Sequence, residues 1–291
     1  MKLRSMLFVP GDSEKKFARA RNAEADALIL DLEDSVAPAR KPEARLYVAQ
    51  LLSDGRARDW KFFVRVNAFE TEETLDDLAM VVQPGLDGIL LPKSNGAHDV
   101  IRLGHCLDAL EVQKGMPRGA VKIAVVSTET AAALFALGTY APAHERLVGL
   151  TWGAEDLAAA IGATTNKDAQ GGWGFPYLMA RANCLFAATA ADVAPIDTLY
   201  ADFRNPEGLA ADCRAARRDG FTGRIAIHPD QVAVINECFT PSEADVAIAR
   251  KIVAAFEAEP DRGAVGIDGQ MYDIPHLKAA RKTLAAAGEV N

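Results

Sequence analysis

Two acidic residues stand just beyond consecutive apolar segments, Glu129 after Val121–Val126 and Asp156 after Leu147–Thr151. Each segment is short enough for a β-strand and leads into a helix-like run rich in alanine, as in parallel strands joined by helices. The carboxyl ends of neighbouring parallel strands meet at one edge, so the two carboxylates are expected close together. Mg²⁺ prefers oxygen ligands and needs only one or two carboxylates beside waters and a chelating substrate. The pair predicts a magnesium site, although either acid taken alone is better explained as a helix cap.

A third apolar segment leads into three more acids, Asp31, Glu33 and Asp34. Carboxylates gathered at a buried edge repel one another unless cations lie nearby. Arg65, inside the next apolar run, is such a cation, and its planar guanidinium suits recognition of a carboxylate or an enolate oxygen. An internal ion pair with Asp31 or Glu33 explains Arg65 equally well. We expect Glu33 and Asp34 to hold metal-bound waters or to orient Arg65, and Asp31 to be more structural.

Lys93 follows the apolar residues Leu90 and Leu91 and Pro92. In a barrel aldolase, a lysine at this place could form a Schiff base with the substrate. Because the chain also offers a pair of acids suited to a metal, we interpret Lys93 as electrostatic or structural.

A glycine-rich stretch, 171–174, lies in the long connection after Asp156. A lid or a substrate-contacting loop over residues 164–176 and an ordinary surface loop explain it equally well. It matches neither of the glycine patterns of nucleotide-binding loops.

Eight short apolar runs alternate with helical stretches over most of the chain. Strands are predicted at Leu3–Val9, Ala27–Leu30, Phe62–Val66, Gly88–Leu91, Val121–Val126, Leu147–Thr151, Ala194–Ile196 and Arg224–Ile227. Eight such units favour the α/β class and a closed (β/α)8 TIM barrel, which collects the polar strand ends at one rim. We assign the barrel to residues 1–240 and a C-terminal helical extension to residues 241–291, with a loop at Asp261–Gly269.

Composition narrows the class of protein. The 291 residues are 49% hydrophobic and 25% charged, with a formal net charge of −8. Such a chain can bury a large core, and its negative charge argues against binding to nucleic acid or to an anionic membrane. The four cysteines and five histidines are scattered, which disfavours disulfides and a zinc site. We expect a cytoplasmic protein.

Several motifs, in order and over nearly the full length, resemble the HpcH/HpaI aldolase and citrate lyase β-subunit (CitE-like) family. They lie at Arg4–Gly11, Asp31–Val36, Arg65–Asn67, Leu91–Lys93, Glu129–Thr130, Gly153–Leu157 and Ala226–Gln231. The tail Asp268–Pro275 is similar to the C-terminal motif of the malyl-CoA and citramalyl-CoA lyases.

The resemblance implies that Glu129 and Asp156 bind Mg²⁺, or Mn²⁺ in its place, and that Arg65 binds the oxo or thioester oxygens of the substrate. It implies that Asp273 is the acid/base residue, delivered from the tail of an adjacent subunit, whereas a plain helix cap is the simpler explanation of this aspartate. Substrate contacts are implied for Arg65, Glu129, Gly153, Ala154 and Glu33.

Contacts with coenzyme A are implied for Phe8, Arg19, Ile227 and His228. Ser13 stands where relatives can carry a basic residue, so the resemblance leaves the exact phosphate contacts open. His228 is also explained as a packed histidine at a strand end.

The expected reaction is Mg²⁺-dependent making or breaking of a carbon–carbon bond in malyl-CoA or citramalyl-CoA, with acetyl-CoA and glyoxylate or pyruvate as products. The alternatives are an aldolase of free 2-oxo acids, an acyl-CoA thioesterase or malate-synthase-like enzyme, and a non-catalytic CoA-ester-binding subunit of a lyase complex. A tail that serves a neighbour's site requires a homo-oligomer, and the resemblance suggests a trimer or hexamer.

Overall fold

The computed structural model describes residues 1–54 and 58–289. The chain divides into two compact units, Met1–Asn236 and Glu237–Asn291. The division expected from the sequence lay at residue 240.

The first unit is a closed barrel of eight parallel strands in sequential order. The strands are β1 Ser5–Pro10, β2 Ala27–Asp31, β3 Lys61–Arg65, β4 Gly88–Leu91, β5 Lys122–Val126, β6 Leu147–Thr151, β7 Ala194–Asp197 and β8 Gly223–Ala226. The predicted (β/α)8 barrel is confirmed, because each predicted strand overlaps an observed one and β1 pairs with β8 to close the sheet.

Helices follow the strands in the expected alternation. They are α1 Glu14–Ala20, α2 Lys41–Ser53, α3 Glu73–Val81, α4 Ala97–Gln113, α5 Ala131–Ala136, α6 Ala154–Ala160, α7 Phe175–Ala190, α8 Pro206–Asp219 and α9 Val232–Phe239. Short 3₁₀ turns occupy Pro38–Arg40, Leu137–Tyr140 and Pro229–Gln231.

The barrel interior is filled by apolar side chains from alternating strand positions. Met6, Ile29, Phe63, Leu90 and Ile196 belong to this buried cluster. The ring of Phe63 fits only because β4 begins with a glycine, since a Cβ at that position would lie 2.3 Å from the ring. Inward-facing positions change from apolar to charged at the carboxyl ends of β2 and β3, which places charge at that rim.

The second unit consists of α10 Glu243–Ala258, a two-stranded antiparallel hairpin and α11 Ile274–Ala286. The hairpin strands are β9 Ala264–Ile267 and β10 Gln270–Asp273. The expectation of an irregular loop over Asp261–Gly269 is therefore wrong. Asp268 and Gly269, both with positive φ (51° and 82°), form the turn, and an Asp-Gly pair is a strong sequence signal for such a hairpin.

The core of this unit lies between its two helices and the hairpin. Ile252 and Phe256 of α10 pack with Val265 of β9 and with Leu277 and Leu284 of α11. Within the described residues, no helix is both long enough and apolar enough to cross a membrane.

Candidate active site

The charged rim of the barrel is organised by an ion pair between adjacent strands. Strand register places Asp31 directly beside Arg65, and the guanidinium donates from Nε to Oδ1 at 2.7 Å and from Nη2 to Oδ2 at 2.8 Å. Arg65 Nη1 lies 3.0 Å from Glu33 Oε2, and the guanidinium carbon lies 4.7 Å from the centre of the Phe8 ring. The internal ion pair expected as one role of Arg65 is thus present.

This pairing fixes the charge states of both partners. Burial acts against the charged guanidinium, but the Asp31 carboxylate outweighs it and raises the pKa of Arg65. Burial also acts to raise the pKa of Asp31, yet hydrogen bonds from Arg65 and from the Ser35 and Glu33 amides lower it overall. A guanidinium has five N–H donors, so Arg65 retains donors beyond those that face Asp31 and Glu33.

Lys93 links the acids of the rim. Its ammonium is hydrogen-bonded to Glu33 and lies 3.1 Å from Asp34 Oδ2 and 3.2 Å from Asp156 Oδ1. Its backbone N–H donates to Glu129 Oε2 at 2.5 Å, and its φ of 49° is uncommon for a residue with a side chain. Burial opposes its charge, but the surrounding carboxylates raise the pKa of Lys93, which keeps it protonated.

Glu129 is an acid of the rim whose surroundings disfavour its negative charge. Its side chain is buried, with 4% of the residue exposed. Burial and the nearby charges of Asp156 and Glu33, opposed by the N–H of Lys93, raise the pKa of Glu129 to about 8. Burial likewise raises the pKa of Glu33, against the pull of Arg65 and Lys93.

The absence of a side chain at Gly153 leaves room for the Glu129 side chain. A Cβ on Gly153 would lie 2.9 Å from Glu129 Cγ, so a larger residue would displace the carboxylate. The Gly153 N–H already donates to Thr128 Oγ1 at 3.2 Å. Ala154 is the first residue of α6, so its N–H is one of those that the helix does not itself use.

These residues fit a hard divalent cation. Glu129 and Asp156 supply carboxylate oxygens, the ligands that Mg²⁺ prefers, and the raised pKa of Glu129 marks negative charge that the chain only partly compensates. The described residues contain no cluster of three or more histidine, cysteine or acidic side chains suited to a metal. The remaining ligands would therefore be waters and substrate oxygens.

Three of the four residues expected to contact coenzyme A lie near the end of β8. Arg19 Nη2 lies 3.0 Å from Asp230 Oδ1, with both side chains largely exposed, and His228 Nδ1 lies 3.4 Å from Asp230 Oδ2. The His228 ring stacks on Phe203 at 4.7 Å, next to the partly exposed Ile227. Its stacking agrees with the explanation of His228 as a packed histidine at a strand end, and His228 also caps the turn that follows it.

The fourth of these residues, Phe8, faces the barrel interior against Arg65. Asp273 lies in the second unit, at the end of β10, and caps α11 by accepting the His276 N–H at 3.4 Å. The cap explanation of Asp273 is therefore observed, and its catalytic role stays a prediction.

The loop before α7 is ordered around one aromatic residue. Trp173 packs edge-on against Trp152 with ring centres 5.2 Å apart, and the ammonium of Lys167 lies 3.2 Å from the centre of the Trp173 ring. Trp152 is buried beside Gly153 and donates its indole N–H to Asp197 at 2.6 Å. Through Trp173, the loop therefore packs against Trp152, which comes just before the turn that carries Asp156.

Two residues have contacts with predicted site residues although the sequence analysis did not place them in the site. Lys93, interpreted there as electrostatic or structural, contacts four acids of the rim, which agrees with an electrostatic role. His276 contacts Asp273, and its position three residues after a helix cap was the signal.

An eight-stranded parallel barrel with charged residues gathered at its carboxyl rim defines a (β/α)8-barrel protein of the kind that enzymes use. The family profile for HpcH/HpaI aldolase/citrate lyase matches residues 4–229. The chain belongs to this family.

Similar proteins extend the likeness to the whole chain. Citrate lyase subunit beta of Haemophilus influenzae is 34% identical over 290 residues, covering 99% of this chain and 98% of the relative. A (3S)-malyl-CoA thioesterase of Cereibacter sphaeroides is 35% identical, covering 98% and 94%. The crystal structure of CitE from Mycobacterium tuberculosis with magnesium, acetoacetate and coenzyme A has a TM-score of 0.77 at 35% identity, covering 98% of each chain.

Proposed function

We propose that the protein is a Mg²⁺-dependent lyase of coenzyme A esters. Its substrate is an acyl-CoA whose β-carbon carries a hydroxyl and a carboxylate, as in malyl-CoA or citramalyl-CoA, and its products are acetyl-CoA and glyoxylate or pyruvate. The observation that carries the proposal is the buried, under-neutralised Glu129 beside Asp156, Lys93 and Arg65. The magnesium and coenzyme A bound by the similar CitE structure support it.

Glu129 and Asp156 would hold the ion, with Mn²⁺ as a substitute. When bound, a divalent ion supplies positive charge that polarises the hydroxyl and carboxylate oxygens of a chelating substrate. Gly153 leaves room for Glu129, and the Ala154 N–H is available to a substrate carboxylate. Lys93 and Glu33 keep Asp156 and Arg65 in place through their contacts.

Arg65 stabilises the negative charge that forms on the thioester oxygen as the carbon–carbon bond breaks. Asp31 grips one edge of the guanidinium at 2.7 and 2.8 Å, so the remaining donors have a fixed direction. Donors fixed before the reaction stabilise a charge that grows toward the transition state more than they stabilise the ground state.

Asp273, from the second unit of a neighbouring subunit in a trimer or hexamer, protonates the carbon of the resulting enolate. In the synthetic direction the same carboxylate removes that proton. The coenzyme A portion would contact Phe8, Arg19, Ile227 and His228, with the exposed guanidinium of Arg19 suited to a phosphate.

Hydrolysis of the thioester is the second candidate, favoured by the relative named (3S)-malyl-CoA thioesterase. The same cation site would serve it, with water in place of the enolate chemistry. The two reactions differ in their products, since cleavage yields an oxo acid and an intact thioester, whereas hydrolysis yields free thiol.

The test is a panel of malyl-CoA, methylmalyl-CoA and citramalyl-CoA, assayed with Mg²⁺ and with a chelator. We expect an oxo acid and an acyl-CoA thioester in equal amounts from one ester, and loss of activity with chelator. Free thiol without oxo acid would instead establish a thioesterase. Binding of every ester without product would indicate a non-catalytic subunit.

A further inference from the structure

Asp273 and His276 form the capping box at the start of α11, and the His276 ring also contacts the Asp273 carboxylate. Asp273 Oδ1 lies 2.5 Å from His276 Nδ1, while the backbone N–H of Asp273 lies 3.2 Å from the same ring nitrogen. A carboxylate oxygen and a ring nitrogen at 2.5 Å need a proton between them, because two lone pairs would repel. The nearer partner is the carboxylate, so Nδ1–H donates to Oδ1.

This contact leaves the two oxygens of Asp273 unequal. Oδ1 accepts from His276 through both Nδ1 and the backbone N–H, and no donor among the described residues forms a hydrogen bond with Oδ2. The side chains of Asp273 and His276 are 40% and 51% exposed, so Oδ2 is open to a substrate. Tyr272 packs edge-on against the imidazole with ring centres 5.4 Å apart, which limits rotation of the ring.

Two nearby polar side chains have partners other than Asp273. Lys251 of α10 is paired with Asp268 at 2.7 Å, and the Tyr272 phenol donates to Gln270 at 2.9 Å. The hydrogen bond from His276 is the largest influence on the carboxyl and lowers the pKa of Asp273.

We propose that His276 is the positioning residue of Asp273: it grips Oδ1 through Nδ1–H and presents Oδ2 as the oxygen that exchanges a proton with the substrate carbon. This inference rests on the proposed function. In the synthetic direction the ionised carboxylate is the base: the methyl C–H bond of acetyl-CoA breaks as the Oδ2–H bond forms, and Nδ1–H holds Oδ1 in place. Oδ2 then releases this proton to solvent, which balances the proton that the new hydroxyl takes up, and cleavage runs through the same steps in reverse.

The test compares His276→Ala with His276→Asn, whose amide nitrogen can replace Nδ1, and uses Lys278→Ala as an exposed control on α11. For His276→Ala we expect kcat, and the rate of deuterium entry into the acetyl-CoA methyl group in D₂O, to fall together by about 10- to 100-fold. KM should stay within about twofold, and His276→Asn should recover most of the rate. A merely structural histidine would lower thermal stability without this split between kcat and KM.

The inference is overturned if His276→Ala keeps the wild-type kcat and exchange rate, or if His276→Asn is as slow as His276→Ala. Asp273→Asn separates the two proposals, because unchanged turnover in that variant removes Asp273 from the reaction. A ¹³C titration of the Asp273 carboxyl, which needs no turnover, should show its pKa rising in His276→Ala. If that pKa rises while no ester is cleaved, the pairing stands and the proposed function fails.

Discussion

Two buried glutamates of the barrel unit, Glu111 and Glu129, meet opposite electrostatic environments. Glu111 on α4 is 0% exposed and accepts from Arg146 at 2.8 and 2.7 Å and from the backbone N–H groups of Gly119 and Val121, each at 2.8 Å. Burial acts to raise its pKa, but these donors lower it overall. Glu129, 4% exposed, has the Lys93 N–H and two neighbouring acids.

The difference is the one expected between a structural carboxylate and the metal ligand that we propose. Glu111 is fully compensated by its own chain, and its ion pair joins α4 to the segment before β6. Glu129 is almost as deeply buried but has a pKa raised to about 8, and we propose that a cation from outside the chain neutralises it. Groups whose pKa is strongly shifted by burial and like charge are typical of active sites.

The largest effect is expected for removal of the two proposed metal ligands. Glu129→Gln and Asp156→Asn should each lower Mg²⁺-dependent turnover by more than about 100-fold, beyond the usual effect of changing a residue that only supports a ligand. Circular dichroism should show an unchanged fold. Glu155→Gln, on the exposed side of the same helical turn, is the matched control and should keep wild-type turnover. Wild-type turnover in either ligand variant would make the assignment wrong.

For the free energy of unfolding, we expect a larger effect from changing Glu111 than from changing Glu129. Glu111→Gln should lower the free energy of unfolding by about 3 kcal/mol, because it removes the buried one of the two acids, Glu111 and Asp108, that pair with the buried Arg146. Glu129→Gln should leave the metal-free protein as stable as the wild type or more stable, since it removes a poorly compensated buried acid. Urea unfolding without metal measures both. Equal losses in the two variants would erase the distinction between the two glutamates.

Metal binding should depend on pH because a proton competes for Glu129. Below pH 8 the carboxyl is mainly protonated, so the apparent affinity for Mg²⁺ should rise by about tenfold per pH unit and level off above pH 8. Calorimetric titrations at pH 6, 7, 8 and 9 measure this. A flat profile would show that Glu129 binds no ion.

The raised pKa also predicts the sign of a stability change. Between the ordinary pKa of a glutamate and about 8, the folded chain holds a proton that the unfolded chain has released. The free energy of unfolding of the metal-free protein should therefore fall as pH rises through this window. Glu129→Gln should remove this part of the pH dependence, whereas Glu111→Gln should leave it in place.

The smallest effect is expected for the loop before α7. Trp173→Ala removes the ring that packs on Trp152, so the turn that carries Asp156 should become less constrained and the Mg²⁺ affinity should fall by about tenfold, the lower end of the range for supporting residues. Trp173→Phe should keep most of the affinity. An unchanged affinity in Trp173→Ala would make the loop an ordinary surface feature.

The sequence predicts the barrel well because each strand is a short apolar run followed by an amphipathic helix. It also predicts which residues reach the rim, since Asp31, Arg65, Glu129 and Asp156 all follow or end such runs. The sequence does not determine which group pairs with Arg65. Asp31 is the partner because strand register places it directly beside Arg65.

Other features depend on contacts distant in sequence. Lys93 joins Glu33 to Asp156, residues separated by more than a hundred positions, so its central place is visible only in the folded chain. The hairpin around Asp268 and Gly269 does not depend on distant contacts. The Asp-Gly pair indicates a hairpin turn, but the glycines around it also fit an irregular loop, which was the structure expected. The site roles and the domain boundary stay predictions.

The most direct test of this account is a calorimetric titration of the metal-free wild type, Glu129→Gln and Asp156→Asn with Mg²⁺ at pH 8, with Glu155→Gln as control. We expect one ion per chain in the wild type and the control, and no measurable binding in the two ligand variants over the same concentration range. Binding of one ion with wild-type affinity in both variants would contradict the central claim that these two carboxylates hold the cation.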